Sequence, residues 1–340
     1  MLTIQDALNQ VIENKDLTQD EAAAIAGIIM RGEATQAQIG GFLVALRMKG
    51  ETVDEIAGFV RAMRENAIPC PMTVPVVDIV GTGGDHAGTF NISSTSAFVV
   101  AGAGGAVAKH GNRGISSKSG AADVLSQLGV SLELTPAQVA TCVEKAGVGF
   151  LFAQSFHPAM RHVGPARKEM AVRTVFNLLG PMTNPAGTKR LVIGVFAQRW
   201  CRPLAEALAK LGTERAWVVY GSDGLDEITT TGPTHVVEWT GTEIREFDIS
   251  PLDLGLALAN PEDLKGGGPE ENALILKSIL EGAAGPKRDI VVMNSAAALV
   301  VLGKASSLRE GVELAQKALD SGAALQTLDK LVALCKEMRP

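Results

Sequence analysis

The stretch VVDIVGTGGDHAGTFNISS, Val76 to Ser94, joins a short apolar run to a cluster of glycines and then to a hydroxyl-rich helix start. An apolar strand that ends in glycines and leads into a helix is the unit of an α/β sheet, and ligands of such sheets bind at the carboxyl ends of the strands. Gly81, Gly83 and Gly84 let consecutive N–H groups converge on an anion, and Asn91, Ser93, Ser94 and Thr95 open a helix whose N-terminus favours phosphate. A dinucleotide fingerprint would need glycine at position 86, where His86 stands, and no P-loop pattern occurs. Read alone, the loop serves equally well as a tight strand-to-helix turn.

On its amino-terminal side the chain reads as helices. Thr18 with Glu21, Thr35 with Gln38 and Thr52 with Glu55 are capping boxes, and Ile56, Phe59, Val60 and Met63 form one apolar helical stripe. The prolines of AIPCPMTVP place a boundary near residue 70. Beyond it, VVDIV, GVGFLFA, RLVIGVFA and AWVVYG alternate with Ala/Leu-rich helical segments, and HVVEWTGTEIREFDI reads as an antiparallel hairpin turning at Thr240 and Gly241. The fold expected is α/β: a small N-terminal α-helical domain, residues 1–70, and a large α/β domain, residues 71–340, with a central mixed, mostly parallel sheet flanked by helices.

A net charge of -6 with no Lys/Arg run longer than a pair argues against a nucleic-acid partner. The absence of a long uncharged apolar window and of a basic-then-apolar leader argues against a membrane partner, so a cytoplasmic location is expected. Cys70, Cys142, Cys201 and Cys335 lie far apart, which favours neither a disulfide framework nor a thiolate zinc site.

Three further clusters carry chemistry. KHGNRGISSKSG places Lys109, His110, Asn112, Arg113, Ser116, Ser117 and Lys118 after a short strand and before a helix, a second anion-binding loop. GSDGLDEIT presents Asp223, Asp226 and Glu227 at a strand end, hard oxygen ligands of the kind Mg²⁺ takes beside phosphate. Arg161, Arg167, Lys168 and Arg173 sit on a broken helix, where an arginine fork could grip a carboxylate or simply face solvent.

Taken together, GTGGD, NISS, KHGNRGISSKSGAADVL, HPAMRHVGPARKEMAVRTVFNLLGPMTNPA and DGLDE resemble the anthranilate phosphoribosyltransferase family over almost the whole chain. The resemblance implies transfer of the phosphoribosyl group of 5-phosphoribosyl 1-pyrophosphate (PRPP) to anthranilate, with both as small-molecule partners. It implies a helical domain joined by the segment near 160–180, a homodimer formed through that domain, and Mg²⁺ as cofactor, two ions per site. Carried over by position, Gly81, Gly83, Gly84, Asp85, Thr89, Asn91, Ile92, Ser93 and Ser94 match one wall of the PRPP site, and Lys109, His110, Gly111, Asn112, Arg113, Gly114, Ile115, Ser116 and Ser117 the other. Gly81, Asn112 and Arg167 match anthranilate contacts, with Lys109, Asn112 and Arg167 as the catalytic set, and Ser93, Asp226 and Glu227 match the metal ligands.

Three positions depart from the family pattern: Ser94 for Thr, Ala121 for Ser and Ser126 for Glu. Ser94 keeps a hydroxyl, whereas Ala121 removes a hydrogen bond toward the sugar phosphate. Two rival classes share the two-domain plan: a pyrimidine nucleoside phosphorylase, for which KHGNR and DGLDE are unexpected, and a non-enzymatic nucleic-acid-binding relative, for which the negative charge is unexpected.

Overall fold

Four threonines open the N-terminal helices. In the computed structural model, which describes residues 2–114 and 118–338, Thr3, Thr18, Thr35 and Thr52 cap α1 (Ile4–Ile12), α2 (Gln19–Met30), α3 (Gln36–Lys49) and α4 (Val53–Glu65). Each threonine oxygen accepts the amide three residues on, and the side chain there returns to the cap amide, so two end donors that the helix cannot satisfy are closed. The Thr3–Asp6 box adds a helix to the three expected, closed by Asp instead of Glu or Gln.

From β1 (Val77–Gly81) the chain alternates: α5 (Ile92–Gly102), β2 (Val107–Gly111), α6 (Ala121–Gln127), α7 (Pro136–Ala146) and β3 (Val148–Phe152). Three short helices follow, α8 (Ala153–Phe156), α9 (Gly164–Met170) and α10 (Phe176–Leu179), before β4 (Arg190–Gly194), α11 (Cys201–Lys210) and β5 (Arg215–Gly221). The expected hairpin is β6 (Thr234–Trp239) with β7 (Ile244–Ile249), and four helices close the chain: α12 (Pro269–Leu280), α13 (Pro286–Leu302), α14 (Leu308–Asp320) and α15 (Ala323–Glu337). The sheet order is β3-β2-β1-β4-β5-β6-β7. β1 to β5 are parallel, and β6 and β7 are antiparallel, so the sheet is mixed and mostly parallel as expected.

Strand alternation sorts the two apolar layers. Leu191 and Ile193 of β4, Ala216 and Val218 of β5 and Val237 of β6 pack in one cluster with α11 and the N-terminal helices. Val192, Trp217, Val219 and Val236 face the other cluster, with α5, α7 and α12 to α15. The N-terminal helices share their cluster with Val163, Ala166, Phe176 and Leu179, so the segment after β3 is packed onto them. Parallel pairing puts the carboxyl ends of β1 to β5 on one edge, where the loops bearing the candidate residues emerge.

Candidate active site

β1 lies between β2 and β4, the point at which the strand order reverses direction and where open sheets leave a crevice for ligands. The turn after β5 folds back over this point. A Cβ on Gly81 would collide with the Asp226 carboxylate, its Cγ 2.7 Å away, and one on Gly194 would collide with the Asp226 carbonyl. Bare backbone on both strands therefore makes room for one acid, whose Oδ2 accepts the Gly83 amide at 2.6 Å. Asp226 is 8% exposed. Burial, with Asp85 and Glu227 close by, holds its carboxyl well above the usual range.

Glu227 beside it is pushed up to about 7, chiefly by burial, while the Lys109 charge and hydrogen bonds from Ser93 act the other way. Asp223 does different work: it accepts the hydroxyls of Thr229 and Thr231, each at 2.7 Å, and braces the turn. Among the described residues no three His, Cys, Asp or Glu side chains gather closely enough to hold a metal by themselves. A pair of carboxylates with the Ser93 hydroxyl is the donor set of an ion that draws its other ligands from water and phosphate.

Lys109 and His110 are not in the loop after β2 but within the strand, because β2 runs on to Gly111 in register with β3. Both side chains are therefore interior. Lys109 is 3% exposed and donates to Ile79 O at 2.7 Å. Burial lowers its pKa while Asp78, Glu227 and Asp226 raise it, so its charge faces the carboxylates from within the sheet. Asp78, fully buried, accepts the His110 amide at 3.2 Å and Asn184 Nδ2 at 2.8 Å, and burial pushes it up to about 6. His110 Nδ1 lies 3.2 Å from Gly180 O, and its ring centroid is 5.1 Å from that of His157. Burial lowers the two imidazoles to about 3 and about 4, so both are neutral near pH 7.

The glycine loop owes its path to Gly83, Gly84 and Gly88, whose φ values of 71, 80 and 65° suit residues without a Cβ. Arg173 donates to Gly84 O and pins the loop from behind. Asp85 accepts the Ala87 amide at 3.2 Å, and Thr89 bridges to Lys265. Asn91 caps α5 without a side-chain bond to it and instead accepts Asn272 Nδ2 at 3.0 Å. Ile92 faces the core, and its amide donates to Phe90 O at 2.8 Å, so it offers a ligand no free donor. Ser94 Oγ is buried without a partner among the described residues.

In the second loop, Asn112 Oδ1 accepts the Arg113 amide at 2.8 Å and Gln154 Nε2 at 3.4 Å, which leaves the Asn112 amide group as a donor. Arg113, expected to help neutralise phosphate, is half-exposed at the rim of this loop. Its guanidinium pairs with Asp123 at 3.0 Å, and the same carboxylate takes the amides of Gly114 and Gly120 at 2.9 and 3.0 Å. Ile115, Ser116 and Ser117 lie outside the described residues. Ala121 begins α6 against Gly111, where a Cβ would stand 3.1 Å from its own.

Arg167 on α9 lies over the Phe176 ring at 5.6 Å and has no carboxylate partner among the described residues. Arg161 bonds His162, Lys168 is exposed, and Arg173 stacks on Phe196 at 4.2 Å. The four basic residues thus make separate contacts instead of one fork. Asp78, Asn184 and Gly194 are parts of the arrangement that no motif in the sequence singles out. A lone acid inside VVDIV was the one local signal among them; the rest act through contacts distant in sequence.

The helical bundle and the α/β sheet correspond to the two domains of one glycosyl transferase family. The chain matches the glycosyl transferase family, helical bundle domain, over residues 5–67 and the a/b domain of the same family over residues 73–325. It is 55% identical over 333 residues to an anthranilate phosphoribosyltransferase of Parvibaculum lavamentivorans, covering 98% of each chain. Among solved structures, the Thermus thermophilus enzyme of that name superposes with a TM-score of 0.93 at 47% identity, covering 97% of this chain and 99% of that one. The Saccharomyces cerevisiae enzyme, solved in complex with PRPP and Mg, does so with 0.90 at 28% identity, covering 98% of each. The chain belongs to the anthranilate phosphoribosyltransferase family.

Proposed function

We propose that the chain transfers the phosphoribosyl group of PRPP to the amine of anthranilate, giving N-(5-phosphoribosyl)anthranilate and pyrophosphate, the second step of tryptophan biosynthesis. The observation that carries this reading is the Asp226–Glu227 pair, Asp226 buried and Glu227 half-buried, held against the glycine loop with Lys109 as a neighbouring cation. Two adjacent acids kept out of water call for a positive counter-charge. Ser93, Asp226 and Glu227 would hold Mg²⁺, two ions per site. Magnesium supplies charge neutralisation at the pyrophosphate oxygens.

The chain's own groups do the rest. The amides of Gly84 and Asp85, without a protein acceptor among the described residues, line the pyrophosphate side, and Gly83 contributes by holding Asp226. Lys109 sets the field behind the carboxylates. The Asn112 amide and the Arg167 guanidinium orient anthranilate, whose carboxylate meets the unpaired Arg167. An aromatic amine is neutral near pH 7 and releases its proton only after attack, so no general base is required.

The helical domain, residues 1–70 with the segment near 160–180, is read as one side of the cleft, and the packing of α9 on α3 and of Phe176 on Phe59 of α4 supports it. A homodimer through that domain is supported by the exposed apolar residues Ile12 of α1 and Met48 of α3, 61% and 83% exposed. A cytoplasmic location fits four buried cysteines that, among the described residues, form no disulfide, and no helix there long and apolar enough to cross a membrane. Mass-spectrometric detection of phosphoribosyl anthranilate from purified protein, both substrates and magnesium tests the reaction; its absence from folded, saturated protein rejects it.

A further inference from the structure

A second concavity, of about 350 Å³, opens behind the glycine loop between the N-terminal helices and the loop that follows β4. Arg47 comes from α3, Arg173 from the segment that crosses between the two layers, and Arg199 from the residues just before α11. None of the three pairs with a carboxylate among the described residues. Glu51 is the one acid in the wall, and burial raises its pKa. Three guanidinium groups against one carboxylate leave an excess of two positive charges.

The guanidinium groups are preorganised. Arg173 lies 4.2 Å from the Phe196 ring centroid and Arg199 5.6 Å from that of Trp200, and Arg47 donates to the Arg173 carbonyl. Two neutral groups in the same wall lack protein partners: Thr174, 4% exposed, has a buried Oγ1 with no hydrogen bond, and Trp200 has a buried Nε1 with none. Buried polar atoms of this kind are satisfied by water or by a ligand.

We propose that this pocket is a second anion site that takes a phosphate dianion, either inorganic phosphate or the phosphoryl group of a larger molecule. The excess charge matches a dianion, and the Trp200 N–H and Thr174 O–H add donors that a plain basic surface does not have. Because Arg173 also donates to Gly84 O, an occupant here reaches the glycine loop through one side chain. The site stands apart from the reaction proposed above and does not depend on it.

The test is a titration of tryptophan emission with inorganic phosphate, with acetate at matched ionic strength as the monoanion control. The wild-type chain is compared with Trp200→Phe and with the double variant Arg47→Gln, Arg199→Gln, whose changed side chains are both exposed. A saturable phosphate signal is expected, absent from Trp200→Phe, at least tenfold weaker in the double variant and not reproduced by acetate. Calorimetry should find one phosphate site fewer per chain in the double variant. An emission change that persists in Trp200→Phe, an equal acetate response, or an unchanged site count overturns the proposal. Tighter binding of ribose 5-phosphate than of inorganic phosphate identifies a phosphoryl ester as the occupant, and the reverse identifies the free anion.

Discussion

The carboxylate of Asp226 stands where a side chain on Gly81 would begin, and the same carboxylate accepts the amide of Gly83 at 2.6 Å. The glycines of the loop therefore have separate duties. Gly81 and Gly194 clear space for an acid from the turn after β5, whereas Gly83 and Gly84 supply left-handed backbone.

Gly81→Ala and Gly83→Ala should accordingly fail in different ways. A methyl at Gly81 displaces Asp226, so magnesium-dependent turnover should fall by about two orders of magnitude or more, with roughly 1–3 kcal/mol of overpacking cost. A methyl at Gly83 meets nothing within 4 Å, and only its φ of 71° is unfavourable, at roughly 1–2 kcal/mol. Magnesium titrations of turnover with parallel urea melts separate the two, and equal magnesium dependence in both variants would contradict the division of labour.

Without metal, Glu227 should make the protein less stable as pH rises. Its folded pKa of about 7 lies above the ordinary 4.5, so its contribution is fully present below 4.5 and is lost through 7. The loss amounts to roughly 3 kcal/mol at most. Glu227→Gln should flatten that part of the profile when urea midpoints are compared at pH 5 and pH 8 in chelator. A variant whose midpoints fall as steeply as the wild type's would show that the carboxyl is not desolvated.

Lys109→Met is expected to destabilise the chain by about 1–3 kcal/mol, since it strips a buried bond to Ile79 O and a cation facing three acids. A lysine in an exposed phosphate loop would instead change substrate KM and leave unfolding untouched. Denaturant melts beside steady-state kinetics discriminate between these placements.

Arg167→Ala should raise the KM for anthranilate at least tenfold with little change in stability. What it loses in the free protein is one contact over the Phe176 ring at 5.6 Å, about 0.5–1 kcal/mol. Kinetics with each substrate varied and a melting curve check it; an unchanged anthranilate KM removes Arg167 from the carboxylate role.

Much of the fold is legible in local signals. Threonine capping boxes mark α2, α3, α4 and α7, and short apolar runs ending at glycine mark β1, β4 and β5. These elements are written in adjacent residues. The site is less legible because its decisive contacts join distant ones: Asp226 with Gly81, Asn184 with Asp78, Arg173 with Gly84. Lys109 and His110 read as loop residues because polarity usually marks a loop, yet here two buried polar side chains belong to a strand, with Ile79 O accepting the Lys109 ammonium and Gly180 O beside His110 Nδ1. The Arg113–Asp123 pair is likewise not written locally, because Asp123 is brought back to Arg113 only when α6 folds.

In the proposed reaction the Asp226–Glu227 pair serves a magnesium-dependent phosphoribosyl transfer to anthranilate. Anthranilate fluorescence should fall when purified protein meets anthranilate and PRPP with magnesium. It should stay constant with chelator, and likewise in the Asp226→Asn, Glu227→Gln variant with magnesium present. Constant fluorescence from folded wild-type protein saturated with both ligands and metal, or a metal-independent loss, would rule out this role for the pair.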